Sequence, residues 1–184
     1  MPHWASLTED TVNLHDLIDS SAVAILPIRP SGGLRSDLSY YSFGAHFVEV
    51  RVDEQLGRIR VSRVVSVMDC GQILNPTTAT SQIQGAVVFG IGMTLMEQTR
   101  YDPLTARVLT DNLADYHVPV NPDVPPIEVL FLNQPDLALN DLGARGLGEI
   151  GLPGTAAAIG NAVYSATGRR FRTLPITPKD VVGR

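Results

Sequence analysis

The run from Ala45 to Met68 constrains this chain more than any other stretch. Phe47, Glu49 and Arg51 alternate with Val48, Val50 and Val52, the two-residue period of a half-buried strand. Asp53 to Gly57 supplies turn chemistry. A second β-rich run extends from Arg58 to Met68, with Ile59, Val61, Val64, Val65 and Val67. Two such runs joined by a short glycine-containing loop predict an antiparallel hairpin.

The segments beyond the hairpin set the fold class. Asn75-Pro76 predicts a helix start: Asn suits the N-cap, and Pro suits the first position, where its missing N–H has no intrahelical partner anyway. The helix is expected to run to about Gln98. Gly85, Gly90 and Gly92 lie inside it, and each costs about 1 kcal/mol against Ala. Tight packing against the sheet or close approach of a backbone or ligand would offset that, and both readings stay open. Tyr101 to Val108 reads as a turn between short strands, and Ile127 to Leu132, after Pro125-Pro126, as another strand. A second helix is expected from about Pro153 to Thr167, with Gly168 as its stop. The tail, with Pro175 and Pro178, reads as irregular. Hairpin, helix, strands and helix in that order predict an α+β fold, a mixed β-sheet with two main helices packed on it. Residues 1–40 read as an N-terminal arm, with a short helix from Thr8 to Leu17 and a loop punctuated by Pro27, Pro30, Gly32 and Gly33; residues 41–184 form the domain.

Composition narrows the function classes. The length of 184 residues suits one domain, and 44% hydrophobic residues fill a core. Lys and Arg number 14 against 19 Asp and Glu, a net charge of −5, which argues against nucleic acid as a partner. The longest basic cluster, Arg169-Arg170-Phe171-Arg172, is too short for a phosphate-binding stripe and reads as a solvated face. Cys70 is the single cysteine and reads as a small buried apolar residue. His3, His15, His46 and His117 lie far apart, without zinc-ligand spacing. No signal-peptide pattern opens the chain and no apolar run reaches about 18 residues, so a cytoplasmic, membrane-free protein is expected from these residues.

The chemistry concentrates in Gly143-Ala144-Arg145-Gly146-Leu147-Gly148-Glu149-Ile150-Gly151. Gly146-x-Gly148-x-x-Gly151 matches the dinucleotide fingerprint as a string. Its context does not: the preceding strand ends about a dozen residues too early, and Arg169 and Arg170 stand about 20 residues on, where an acidic residue belongs. There remain a backbone that can approach a bulky ligand, a helix N-terminus just beyond it that favours an anion, and the positive charge of Arg145. Glu149 is either a positioned base or a cap of the next helix. Asp115-Tyr116-His117 is a weaker candidate relay, with a satisfied structural histidine the preferred reading.

Taken together, the segment Gly143 to Gly151, Asp69-Cys70-Gly71-Gln72-Ile73-Leu74-Asn75-Pro76, Gln82-Ile83-Gln84-Gly85, Asp115-Tyr116-His117-Val118-Pro119 and Leu174-Pro175-Ile176-Thr177-Pro178 resemble the molybdenum-binding large subunit of the xanthine dehydrogenase/aldehyde oxidase family. The wording is most similar to the bacterial periplasmic aldehyde oxidoreductase branch, and the resemblance covers residues 41–182. It implies a molybdopterin-binding-domain-like fold and a molybdenum–molybdopterin cofactor, in bacteria commonly the cytosine dinucleotide form. It also implies hydroxylation of aldehydes or N-heterocycles with oxygen from water. Glu149 takes the family's general-base position. By similarity Gln72, Ile73, Leu74, Asn75, Pro76, Thr77, Thr78 and Gln82 contact the pterin dinucleotide, Arg145, Gly146, Leu147 and Gly148 line it, and no side chain ligates the metal directly. Iron–sulfur and FAD centres are expected on partner subunits, together with the rest of a much longer large subunit. A signal-bearing partner would carry the chain to the periplasm. The alternative is a non-catalytic truncated remnant or interaction domain that lacks a complete cofactor cage.

Overall fold

The computed structural model of the protein describes residues 40–183; the expected arm, with its short helix and proline loop, lies outside them. Strands β1 (Phe43–Asp53) and β2 (Arg58–Asp69) pair antiparallel, and β3 (Ile127–Phe131) pairs parallel to β2, giving a mixed three-stranded sheet in the order β1-β2-β3. The hairpin expectation holds. Its turn forms because the Asp53 carboxylate accepts the N–H groups of Gln55 and Leu56, and Gly57 takes the left-handed conformation. The register shifts between Glu49 and Val50, where Ser62 is the extra residue and donates its hydroxyl to Glu49. That bulge turns Ile59 and Val61, and then Val64, Ser66 and Met68, to one face.

Helix α1 (Pro76–Leu95) and helix α2 (Thr155–Thr167) pack on that face and on each other. The α+β expectation therefore holds, with both main helices in place. Val61 and Val64 of β2, Val87 and Ile91 of α1, and Ile159 and Val163 of α2 form one buried cluster. A second cluster, Met68, Cys70 and Ile83, gathers Val129, Phe131, Leu147 and Ile150 around it. Burial of such side chains is the main source of stability here, about 1.5–3 kcal/mol each.

Three boundaries differ from expectation. Helix α1 ends at Leu95, short of Gln98, because Met96 and Glu97 both fold their N–H groups onto the Gly92 carbonyl. Helix α2 begins at Thr155, with 148–154 in turns; it ends at Gly168 in the left-handed conformation, as expected. The tail is not irregular throughout. Pro178 opens helix α3 (Pro178–Val182), and the Asp180 carboxylate accepts from the Thr177 N–H and hydroxyl. The basic cluster is likewise more than a solvated face. Arg169 donates to the carbonyls of Asp180, Val181 and Gly183 at the end of α3, and Arg170 stacks on the Tyr164 ring. No helix among the described residues is long and apolar enough to cross a membrane.

Candidate functional site

The end of β2 and the glycine-rich loop are stitched together. Arg145 donates its N–H to the Cys70 carbonyl at 2.8 Å, and Gln72 donates to the Gly143 carbonyl at 2.8 Å. Gly71, with φ +70°, faces the Gly143 carbonyl so closely that no Cβ fits between them. Ile73 donates to the Asn133 side chain at 2.8 Å. Segments far apart in sequence thus form one platform.

Side chains on this platform decide how the loop lies. The Arg145 guanidinium is paired with Asp69 and, at 3.1 Å, with Asp136. Its side chain is 14% exposed, and its Nε is buried without a hydrogen-bond partner. The charge that the sequence offered to an anion is therefore engaged by two carboxylates. Leu147 and Ile150 turn into the second core cluster. Gly151 packs against Ile83 and Ala86 of α1. Between those apolar anchors Glu149 is exposed, and its carboxylate bonds to no described residue. The cap alternative is not realised. Helix α2 has Gly154 as its N-cap, with no side-chain cap, and Glu149 lies more than a full turn ahead of it, out of reach of the helix's first N–H groups.

Two of the loop's carbonyls are held by side chains, while its N–H groups from Gly146 to Glu149 are open. Ser42 Oγ donates to the Gly146 carbonyl at 2.5 Å, and Gln82 Nε2 donates to the Gly148 carbonyl at 2.7 Å. The N–H groups of Gly146, Leu147, Gly148 and Glu149 donate to no described residue. A Cβ at Gly146, Gly148 or Gly85 would meet nothing within 4 Å. Exposed backbone donors beside unfilled space suit a large anionic ligand, so the residues present fit a molybdopterin cofactor along this surface.

The structure brings Gln82 and Gly148 into direct contact and sets Gln72 to Thr78 at the edge of the same platform. It does not make every one of them a donor. Asn75 caps α1 as expected, accepting from Thr77 and Thr78 at 3.1 and 3.2 Å, so those two amides are engaged inside the helix. Leu74 and the Gln72 side chain are exposed. Asp136, Ser42 and Asn133 were not singled out for the site by the sequence, and Asp69 entered only as the first residue of the Asp69–Pro76 motif. Concavities among residues 102–115 and along α2 contain none of the candidate cofactor residues.

The reading of Cys70 as a buried packing residue holds, and the candidate relay at 115–117 does not form. Cys70 is buried, and burial pushes its thiol pKa up, which suits a packing role. Tyr116 donates to Glu97 at 2.9 Å, Asp115 accepts from Asn112, and His117 is exposed with no described partner. Neither a relay nor a satisfied structural histidine forms there, because the segment lies on the surface.

Comparison with known proteins adds a family. The sequence pattern of the molybdopterin cofactor-binding domain matches residues 9–125, beginning inside the expected arm. The aldehyde oxidoreductase molybdenum-binding subunit PaoC of Escherichia coli is 44% identical over 146 residues, covering 79% of this chain and 20% of that protein. The xanthine dehydrogenase molybdenum-binding subunit of Escherichia coli O157:H7 is 41% identical over 140 residues, covering 75% and 18%. Among solved structures, the aldehyde oxidoreductase from Desulfovibrio desulfuricans superimposes with a TM-score of 0.66 at 32% identity, covering 73% of this chain and 14% of that one. The chain spans about one fifth of the length of the curated relatives it matches.

Proposed function

The chain belongs to the xanthine dehydrogenase/aldehyde oxidoreductase family as a molybdopterin cofactor-binding domain, and we propose that it forms one wall of the cofactor and active-site cleft of a molybdenum hydroxylase. The observation that carries this reading is the open row of N–H groups from Gly146 to Glu149 beside the empty space at Gly85, Gly146 and Gly148. In it, the ligand is the cytosine dinucleotide form of molybdopterin, lying along Gln72 to Thr78, Gln82 and the glycine-rich loop. Bound there, the cofactor would supply a two-electron acceptor for hydroxylation by water-derived oxygen.

The chain's own residues then divide the work. The loop amides and α1's N-terminal dipole hold anionic groups. Gln82 holds the Gly148 carbonyl in a hydrogen bond and so fixes the loop backbone beside it. The Glu149 carboxylate, unencumbered and between two apolar anchors, accepts the proton of the attacking hydroxyl at one of its oxygens; such general-base assistance contributes about 10²–10⁴-fold. The substrate is an aldehyde or an N-heterocycle, and electrons leave through iron–sulfur and FAD centres on partner subunits.

A second observation bears on whether the chain acts alone. The outer sheet face exposes Phe43 and Phe47 of β1 and Leu130 of β3, and the candidate site is open to solvent. Both favour a domain completed by further protein, the remnant or interaction reading being what is left if that protein is missing.

The test is Glu149→Gln in the assembled enzyme. Turnover should fall by at least about 10²-fold with molybdenum content retained; near-wild-type turnover would sink the base assignment. The molybdenum-to-protein ratio of the chain purified from its native host separates the two readings: a ratio near one supports the hydroxylase wall, and no molybdenum supports the remnant.

A further inference from the structure

We propose that Arg145 is a positioning residue: clamped between Asp69 and Asp136, its guanidinium fixes the Gly146–Glu149 backbone over the start of α1 and does not itself touch the ligand. This rests on Glu149 being the base. Three observations carry it. Both terminal nitrogens of Arg145 are taken, by Asp69 at the end of β2 and Asp136 in the 132–142 loop. Its remaining nitrogen, Nε, is sealed from solvent. And no strand of the sheet or helix covers 132–154, so the segment carrying Glu149 has no ladder to hold it.

The geometry shows what the clamp does. Gly146 and Gly148 leave the chain conformationally loose on either side of Leu147. Beyond Glu149 the chain is held by the packing of Ile150 and Gly151. Before it, Leu147 packs on the core and Ser42 and Gln82 hold the Gly146 and Gly148 carbonyls; the anchor that ties this stretch to the sheet is Arg145, whose N–H holds Cys70 while its side chain joins β2 to the 132–142 loop. A guanidinium satisfying two separate carboxylates is directional in a way a point charge is not. Small displacements of a positioned base are expensive, about 10²-fold in rate for 1 Å.

The experiment compares Arg145→Gln, Arg145→Lys and Asp136→Asn with the wild type in the complete molybdenum enzyme, reading amide hydrogen exchange, molybdenum content, kcat and KM. Arg145→Gln should speed exchange across 143–151 by about tenfold or more while leaving 88–95 of α1 unchanged. It should lower kcat by about tenfold or more with KM nearly constant, the mark of lost positioning rather than lost binding. Arg145→Lys, keeping the charge but not the two-sided fork, should recover only part of both. Wild-type exchange across 143–151 in Arg145→Gln overturns the proposal. So does loss of molybdenum with that exchange unchanged, which would make the side chain a cofactor contact. If Arg145→Gln does not assemble, Asp136→Asn decides, since it removes only the more exposed partner: faster loop exchange supports the clamp and wild-type exchange overturns it. Glu149→Gln, run in parallel, should leave loop exchange unchanged. If that variant turns over normally, the base assignment fails on its own, and the exchange data still decide the clamp.

Discussion

Gly85 and Gly90 lie little more than one turn apart on α1, yet they face different worlds. A Cβ at Gly90 would sit 2.5 Å from the Thr155 side chain, at the crossing with α2. A Cβ at Gly85 would meet nothing within 4 Å. The helix divides accordingly. Its C-terminal half buries Val87, Gly90, Ile91 and Thr94, with Thr94 Oγ1 donating back to the Gly90 carbonyl at 2.5 Å. Its N-terminal half exposes Thr77, Thr78, Ser81, Gln82 and Gly85. Both halves bury one face, with Ala79 and Ile83 in the first and Val87 to Thr94 in the second, but only the first leaves a glycine beside open space. Two glycines with the same helix penalty therefore have different surroundings, helix–helix contact in one case and open space in the other.

Substitutions can break this contrast. The largest effect on stability is expected from Ile91→Ala, which leaves a cavity in the fully buried cluster and should cost about 2–5 kcal/mol in urea unfolding. Gly90→Ala comes next. Overpacking against Thr155 costs about 1–3 kcal/mol, offset by about 1 kcal/mol of helix propensity, so a net loss of stability is expected in the same urea measurement. Asn75→Ala removes the cap of the exposed half and should cost about 1 kcal/mol. Gly85→Ala should change sign, raising stability by up to about 1 kcal/mol because nothing clashes, while lowering the molybdenum-to-protein ratio of the assembled enzyme. If Gly85→Ala destabilises the chain as Gly90→Ala does, the two halves are not different in kind.

Much of the fold was legible in the residues alone. Alternation from Phe47 to Val52 located β1, and Asn75-Pro76 and Gly168 located one end each of α1 and α2, because caps and strand faces are local chemistry. The bulge at Ser62 was not legible, since register depends on the partner strand. The start of α2 was misplaced for a related reason: Pro153 suits a first turn, but Gly151 and Gly154 are drawn into contacts with α1 and His46 that hold 148–154 in turns. In the candidate site, the glycine-rich loop and Glu149 stood out by residue type. The pairing of Arg145 with Asp69 and Asp136 did not, because they lie 76 and 9 residues away and only the folded chain brings them to it.

By itself the sequence determined the elements, their order and the residue types at the loop, all set by interactions among near neighbours in the chain. Tertiary structure alone decided which glycines are packed and which face open space, which of the loop's polar groups are engaged and which are offered, and that the Arg145 guanidinium is paired with Asp69 and Asp136. Those outcomes depend on which buried charges and carbonyls find partners, and a charge out of water is satisfied by whatever the fold places beside it.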